Sequence, residues 1–166
     1  PEVDVSTLID PESVEAFEGF LGNVEEAGGS ILRLGTVVAE HPEGGCVAQP
    51  ALIEGLGIAH ELASEEFFGP ATRFFSFTSD DEAAATANST EYGLTAAVWS
   101  RDIARAERIV SALEAGVISI NGPTHGAEIN MPFGGVKNSG NGSRDAGVYS
   151  IDQYSDIRVV STFFGA

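Results

Sequence analysis

The chain has 166 residues, 43% of them apolar and 20% charged, which describes a globular fold with a real core and excludes a disordered chain. It carries 25 Asp and Glu against 8 Lys and Arg, a net charge of -17 that repels phosphate backbones and anionic lipid and so argues against nucleic-acid and membrane partners. No apolar run approaches a bilayer span and no basic-then-apolar leader opens the sequence, so a cytoplasmic location is expected.

The sequence starts at Pro1, as expected of a processed chain or part of a longer product. Residues Pro11 to Ala27 place Val14, Phe17, Phe20, Leu21 and Val24 on one helical face, and Gly28-Gly29 stop the helix. SILRLG (30–35) reads as a short strand. TVVAEHPEGG is a connection of open shape, and CVAQPALIEG is a second extended run. Residues 71–78, ATRFFSFT, alternate and are rich in aromatics, which predicts a strand. Ser79 with Glu82 three residues later is a capping-box signature before an alanine-rich helix that Gly93 is expected to end. LTAAVWS (94–100) predicts the next strand. DIARAERIVSALEAG predicts a helix with Ile103, Ala106, Ile109, Val110 and Leu113 on one face and Gly116 as a left-handed terminator. VISIN (117–121) predicts the last strand of the group.

This order implies an α/β fold: a parallel sheet with a βαβαβ core and right-handed helical crossovers. DIRVVSTFF (156–164) reads as a terminal strand with an open edge, and such an edge usually pairs with something. The domain organisation read from this is 1–155 as one partial catalytic domain and 156–166 as a pairing strand. The acidic surface with a single lysine, Lys137, fits solubility in high salt, where screening cancels self-repulsion, so a halophilic protein is expected over an ordinary acidic one.

Several signals fall short of a motif. His60-Glu61 begins like a zinc-protease helix, but Ser64 stands where the second His is needed. His41, His60 and His125 have no ligand spacing, and GLG at 55–57 lacks the third glycine of a dinucleotide turn. Cys46 is the single cysteine, set in an apolar run with no nearby base or cation, and reads as a small buried hydrophobe.

Two stretches remain. In EEFFGP (65–70), Glu66 and Phe68 are two apart and so share one side of an extended chain. A carboxylate can accept both hydroxyls of a ribose, and a ring can pack on the attached heterocycle. A solvated Glu beside a core Phe has the same spacing. The second stretch, residues 121–147, interleaves dense glycine with Asn, His, Lys and Arg, the composition of a long functional loop, and Gly134-Gly135 would allow close backbone approach to a neighbour or ligand.

The pieces DVSTLID, EEFFGPATRFF, NSTEYGLTAAVWSRDIARAERI, AGVISING and MPFGGVKNSGNG occur in one order across nearly the whole chain. Together they resemble the C-terminal part of the NAD(P)-dependent aldehyde dehydrogenase superfamily. The version INGPTHGAEINMPFGGVKNSGNGSRDAG is most similar to the branch acting on sugar-acid-derived semialdehydes such as ketoglutarate semialdehyde. The resemblance implies NAD or NADP as cofactor, with Glu66 on the nicotinamide ribose and Phe68 near the nicotinamide. It implies that Thr124, His125, Phe133 and the stretch from Gly126 to Met131 line the aldehyde channel. Lys137 and Arg144 match recurrent positions and are expected to tie down the Gly-rich loop.

The family reaction uses a cysteine thiolate, an Asn oxyanion donor and a glutamate base, which in relatives lie upstream of the resembled segment. Cys46 does not match the nucleophile. Three readings are open. The chain is a dehydrogenase segment that works with a complementary N-terminal portion, a non-catalytic remnant that associates with full-length relatives through the terminal strand, or an unrelated α/β binding module; a homo-oligomer is the other partnership expected.

Overall fold

The computed structural model describes residues 5–36, 45–126 and 128–165. The connection at 37–44, with His41, and Ala127 of the predicted channel loop lie outside the described residues. The fold is α/β, and the chain divides into two units, one up to Thr78 and one from Ser79.

In the first unit, helix α1 spans Pro11–Glu26. The Asp10 carboxylate accepts hydrogen bonds from the Ser13 backbone N–H (2.7 Å) and hydroxyl (2.6 Å), which caps the helix and holds the Asp10 carboxyl below its usual pKa. Pro11 follows as the first helical residue, where no donor is lost. At the far end the Gly29 N–H donates to the Val24 carbonyl (2.9 Å) and the Gly28 N–H to the Glu25 carbonyl (3.0 Å), with Gly28 at φ +88°. This is a Schellman motif, and it is why the glycine pair stops the helix. Strands β1 (Ser30–Arg33), β2 (Ala51–Glu54) and β3 (Ala71–Arg73) form one mixed sheet. β1 runs antiparallel to β2 with Ile31 opposite Ile53, and β3 runs parallel to β2 with Ala51 opposite Ala71. Phe17, Phe20, Leu21 and Val24 of α1 meet Ala51, Ile53 and Leu56 in the core. Between β2 and β3 lies the one-turn helix α2 (Glu61–Ser64).

The predicted strand 71–78 is shorter than its alternation suggests. Its ladder stops at Arg73, and the Phe74 N–H makes one further bond to the Ile53 carbonyl (2.8 Å). Phe74 and Phe77 are about half exposed, so the aromatic alternation continues beyond the strand that could use it.

In the second unit, helix α3 (Asp80–Asn88) is capped as predicted, the Ser79 hydroxyl accepting from the Glu82 N–H (3.2 Å), with three acidic residues in its first turn to match the helix dipole. Asp80 also takes a two-pronged hydrogen bond from Arg105 (2.8 and 2.6 Å), which lowers the Asp80 pKa and raises that of Arg105. Strands β5 (Thr95–Val98) and β6 (Val117–Ile120) are parallel and joined through helix α4 (Ile103–Ala112), the crossover that the sequence implies. Asp102 caps α4 through the Arg105 N–H (3.0 Å), and Ala106 is fully buried. A short pair, β4 (Tyr92–Gly93) and β7 (Val136–Lys137), runs antiparallel. The strands thus fall into three small sheets, with β3 alongside β2 and not in one sheet with β5 and β6.

Two glycines differ from their expected roles. α3 ends at Asn88, and Gly93 sits within β4. Gly116 is not in the left-handed region; a Cβ there would fall 1.8 Å from the Gly134 carbonyl oxygen. Its requirement is space, because two backbones meet at that point. The predicted terminal strand does not form: segment 156–165 has no regular secondary structure and makes no ladder with the described residues, and Ile157, Phe163 and Phe164 are almost wholly exposed.

Gly116→Ala should therefore destabilise the fold by about 3 kcal/mol, an overpacking cost against rigid backbone. Urea unfolding of the variant beside the parent measures it; a midpoint within error of the parent contradicts the backbone contact.

Candidate functional site

EEFFGP is shaped by groups on both sides of it in the first unit. His60 caps α2, its Nδ1 accepting from the Leu62 N–H (3.2 Å), and the helix closes at Glu65. Arg73, from β3, reaches back to that helix end. Its Nε donates to the Leu62 carbonyl (2.8 Å) and its Nη2 to the Glu65 carbonyl (2.5 Å). These are the carbonyls that a helix end leaves without partners. The guanidinium also lies 5.4 Å from the centre of the Phe20 ring. Burial pushes the Arg73 pKa down while Glu65 nearby pulls it up.

Beyond Glu65 the chain turns its aromatics apart. The Phe67 ring stacks on Phe20 at 4.7 Å between centres and lies 5.7 Å from Phe17. Gly69 leaves room for this: a Cβ there would be 2.6 Å from both the Phe17 and the Phe67 rings. The Pro70 carbonyl then accepts from the Ala51 N–H (2.9 Å) and starts β3. With Phe67 drawn inward, its neighbours are left outside. Glu66 is exposed and Phe68 is 90% exposed. No hydrogen bond or ion pair from the described residues holds the Glu66 carboxylate. Phe68 borders a shallow groove of about 520 Å³ with Val5, Leu8, Ile9, Ser13 and Pro70, which Glu66 does not line.

The predicted channel residues belong to the second unit. Thr124 and His125 are exposed, and Phe133 is half-buried. Phe133 and Asp145 exchange backbone hydrogen bonds (2.9 and 2.8 Å), which closes the Gly-rich stretch into a loop. Lys137 and Arg144 hold that loop as expected. Lys137 Nζ donates to the Asn88 (2.7 Å) and Thr90 (3.1 Å) carbonyls and pairs with Glu114 at 2.6 Å; Arg144 Nη1 donates to the Gly135 carbonyl (2.7 Å). Gly135 approaches a neighbouring backbone: a Cβ on it would lie 2.4 Å from the Ser139 carbonyl oxygen.

Three organising residues were not foreseen from sequence. Arg73 is one. Asn88 is another: its side chain donates to the Ala112 carbonyl (2.7 Å) and accepts from the Glu114 N–H (2.8 Å), which binds the end of α3 to the end of α4. Asn121, at φ +53°, accepts from the Ser100 N–H (2.8 Å) and donates to the Ser100 carbonyl (2.9 Å), which fastens the start of the loop to the end of β5. Asn is one of the few residues that tolerates that backbone geometry. The other two roles depend on partners far away in sequence, and no local signal marks them. Cys46 is half-buried, and its carbonyl accepts from the Leu8 N–H (2.8 Å). Among the described residues no group of three or more metal-ligating side chains converges.

The family model described as aldehyde dehydrogenase matches residues 1–160. The chain belongs to the aldehyde dehydrogenase family. A betaine aldehyde dehydrogenase from Cereibacter sphaeroides is 33% identical over 165 residues, covering 99% of this chain and 33% of that protein. A 3-sulfolactaldehyde dehydrogenase from Pseudomonas putida is 35% identical over 153 residues, covering 92% of this chain and 30% of that protein. Among solved structures, the NAD-dependent aldehyde dehydrogenase from Sinorhizobium meliloti superposes with a TM-score of 0.80 at 31% identity, covering 90% of this chain and 29% of that one. Betaine aldehyde dehydrogenase from Staphylococcus aureus, solved in complex with NAD+, gives a TM-score of 0.80 at 28% identity, covering 89% of this chain and 29% of that one. The chain spans about a third of the length of the curated relatives it matches.

The two adjacent phenylalanines should separate by mutation. Phe67→Ala should cost about 3 kcal/mol by emptying the space against Phe17 and Phe20, whereas Phe68→Ala should shift stability by less than about 0.5 kcal/mol. Chemical denaturation of the two variants compares them; equal losses would contradict the inward and outward assignment.

Proposed function

We propose that this chain is the closing segment of an NAD(P)-dependent aldehyde dehydrogenase, working with an upstream portion of the family fold that bears the nucleophilic cysteine. In this reading the chain oxidises no aldehyde by itself. It supplies the Glu66 carboxylate to the nicotinamide ribose and the Phe68 ring to the nicotinamide. When bound, the nicotinamide supplies the hydride acceptor for aldehyde oxidation. Cys46 is not assigned a catalytic role.

One observation carries the cofactor half of the proposal. Phe67 is committed to the core, and the residues flanking it, Glu66 and Phe68, are left exposed. An ionised carboxylate is a pure acceptor, suited to a pair of vicinal hydroxyls, and an exposed aromatic face is suited to a flat heterocycle. The residues present therefore fit the cofactor of the family. Relatives solved with NAD+ support the same choice, with NADP kept as the alternative.

The substrate half rests on the loop. Thr124, His125 and Phe133 are assigned to the aldehyde channel, with His125 as a hydrogen-bonding group for a polar aldehyde. Relatives named for betaine aldehyde, 3-sulfolactaldehyde and 2-hydroxymuconic semialdehyde support a polar aldehyde as the class. Within it, a semialdehyde such as ketoglutarate semialdehyde is the narrower choice.

The test is Glu66→Gln in the assembled enzyme. Loss of a charged acceptor should lower kcat/KM for the cofactor about 10- to 100-fold, the range expected for a charge-assisted hydrogen bond, with folding unchanged. Unchanged turnover together with unchanged cofactor affinity would reject the role of Glu66. Association with a full-length relative that already holds every catalytic group, insensitive to this substitution, would make the chain a non-catalytic companion instead.

A further inference from the structure

Among the described residues, Arg73 is the cation hydrogen-bonded to the segment that presents Glu66. It grips the Glu65 carbonyl (2.5 Å), one peptide before Glu66, and the Leu62 carbonyl (2.8 Å) at the end of α2. The same guanidinium lies over Phe20 at 5.4 Å, and Phe20 stacks with Phe67, the residue just after Glu66. Glu66 is thus fixed from both sides through one side chain. Its own carboxylate has no partner among the described residues, so only the backbone and its two neighbours set its direction. The guanidinium fork suits this task because two of its donors point at two carbonyls while its face covers a ring.

We propose that Arg73 is a positioning residue: through the Glu65 carbonyl and the Phe20–Phe67 stack, it sets the backbone from which the Glu66 carboxylate meets the cofactor ribose. The proposal rests on the assignment of Glu66 to the ribose. Without Arg73, the Leu62 and Glu65 carbonyls lose their donors and turn to water, and Glu66 samples a wider range of directions. The affinity lost is affinity that Glu66 would have delivered, so the two residues must act as one unit.

A double-mutant cycle tests this in the assembled enzyme, with NADH or NADPH, whichever the parent binds more tightly, followed by its fluorescence. Arg73→Met should raise the dissociation constant about 3- to 10-fold, less than the direct loss of a charge-assisted bond to the cofactor because Arg73 acts only through Glu66. In the Glu66→Gln background the same substitution should change it less than about twofold. Arg73→Lys, which keeps the charge but cannot span both carbonyls, should fall between parent and Met and melt close to the parent. That variant carries the test if Arg73→Met does not fold. An Arg73→Lys variant with parental affinity, or an Arg73→Met effect that adds fully to that of Glu66→Gln, would overturn the inference and leave Arg73 as a stabilising residue only. Glu66→Gln binding as tightly as the parent would overturn both this inference and the assignment of Glu66.

Discussion

The stacking of Phe67 on Phe20 governs what the first unit can present. A side chain in extended backbone has two choices of side, and the choice made at one position is imposed on the next. Phe67 takes the inner side because α1 offers it two rings, Phe17 and Phe20, and Gly69 removes the Cβ that would collide with both. Once that ring is committed, Glu66 and Phe68 are outside. The exposure of a whole phenylalanine ring is unfavourable by the measure of apolar area, roughly 25 cal/mol per Å². Its tolerance at Phe68 is understandable if something flat is to cover it, and the groove beside it is lined by further apolar groups.

The second unit is organised by a different force, close contact of main chain with main chain. Gly116 against Gly134 and Gly135 against Ser139 leave no room for side chains, so strand ends and loop are held at backbone distance. Polar side chains then complete the fastening. Asn88 joins two helix ends, Lys137 reaches the carbonyls of Asn88 and Thr90 at and just past the end of α3, and Asn121 closes the corner after β6. Lys137 and Arg144 satisfy carbonyls that no strand or helix would otherwise reach. A loop with so many glycines is expensive to order in entropy, and these bonds offset that cost at fixed points. Thr124 and His125 are left exposed on it.

The elements that could be read from sequence are those whose causes are local. Ser79 accepts from an N–H three residues on, and its capping box is legible in a few letters; Asp10 and Asp102 cap their helices in the same way. The helix periodicity of α1 and the β5-α4-β6 crossover follow from the same short-range patterns. The outward placement of 66 and 68 was legible as parity, though which parity was inner depended on rings fifty residues earlier. What local pattern misjudged has distant causes. Gly116 resembles a helix terminator but answers to Gly134. The aromatic alternation of 71–78 outlasts its strand because a ladder needs a neighbour and hydrophobic pattern alone does not supply one. Arg73 and Asn88 carry no signature at all, since their acceptors are backbone carbonyls, which every residue possesses.

The charge of the chain gives these contacts a further meaning. Of its eight cations, Arg33 is paired with Glu18, Arg105 with Asp80 and Lys137 with Glu114, while Arg73 and Arg144 are spent on carbonyls. Little positive charge is left to meet phosphate, and the net field of -17 opposes it. A dinucleotide nonetheless has a portion without negative charge, the sugar hydroxyls and the nicotinamide-type ring. A carboxylate and an aromatic face recognise that portion without needing a cation, because hydroxyls are donors and the ring is matched by shape. An acidic chain can therefore contribute to such a site at the sugar while leaving the pyrophosphate to other groups. The proposed roles of Glu66 and Phe68 are the ones that this electrostatic surface permits.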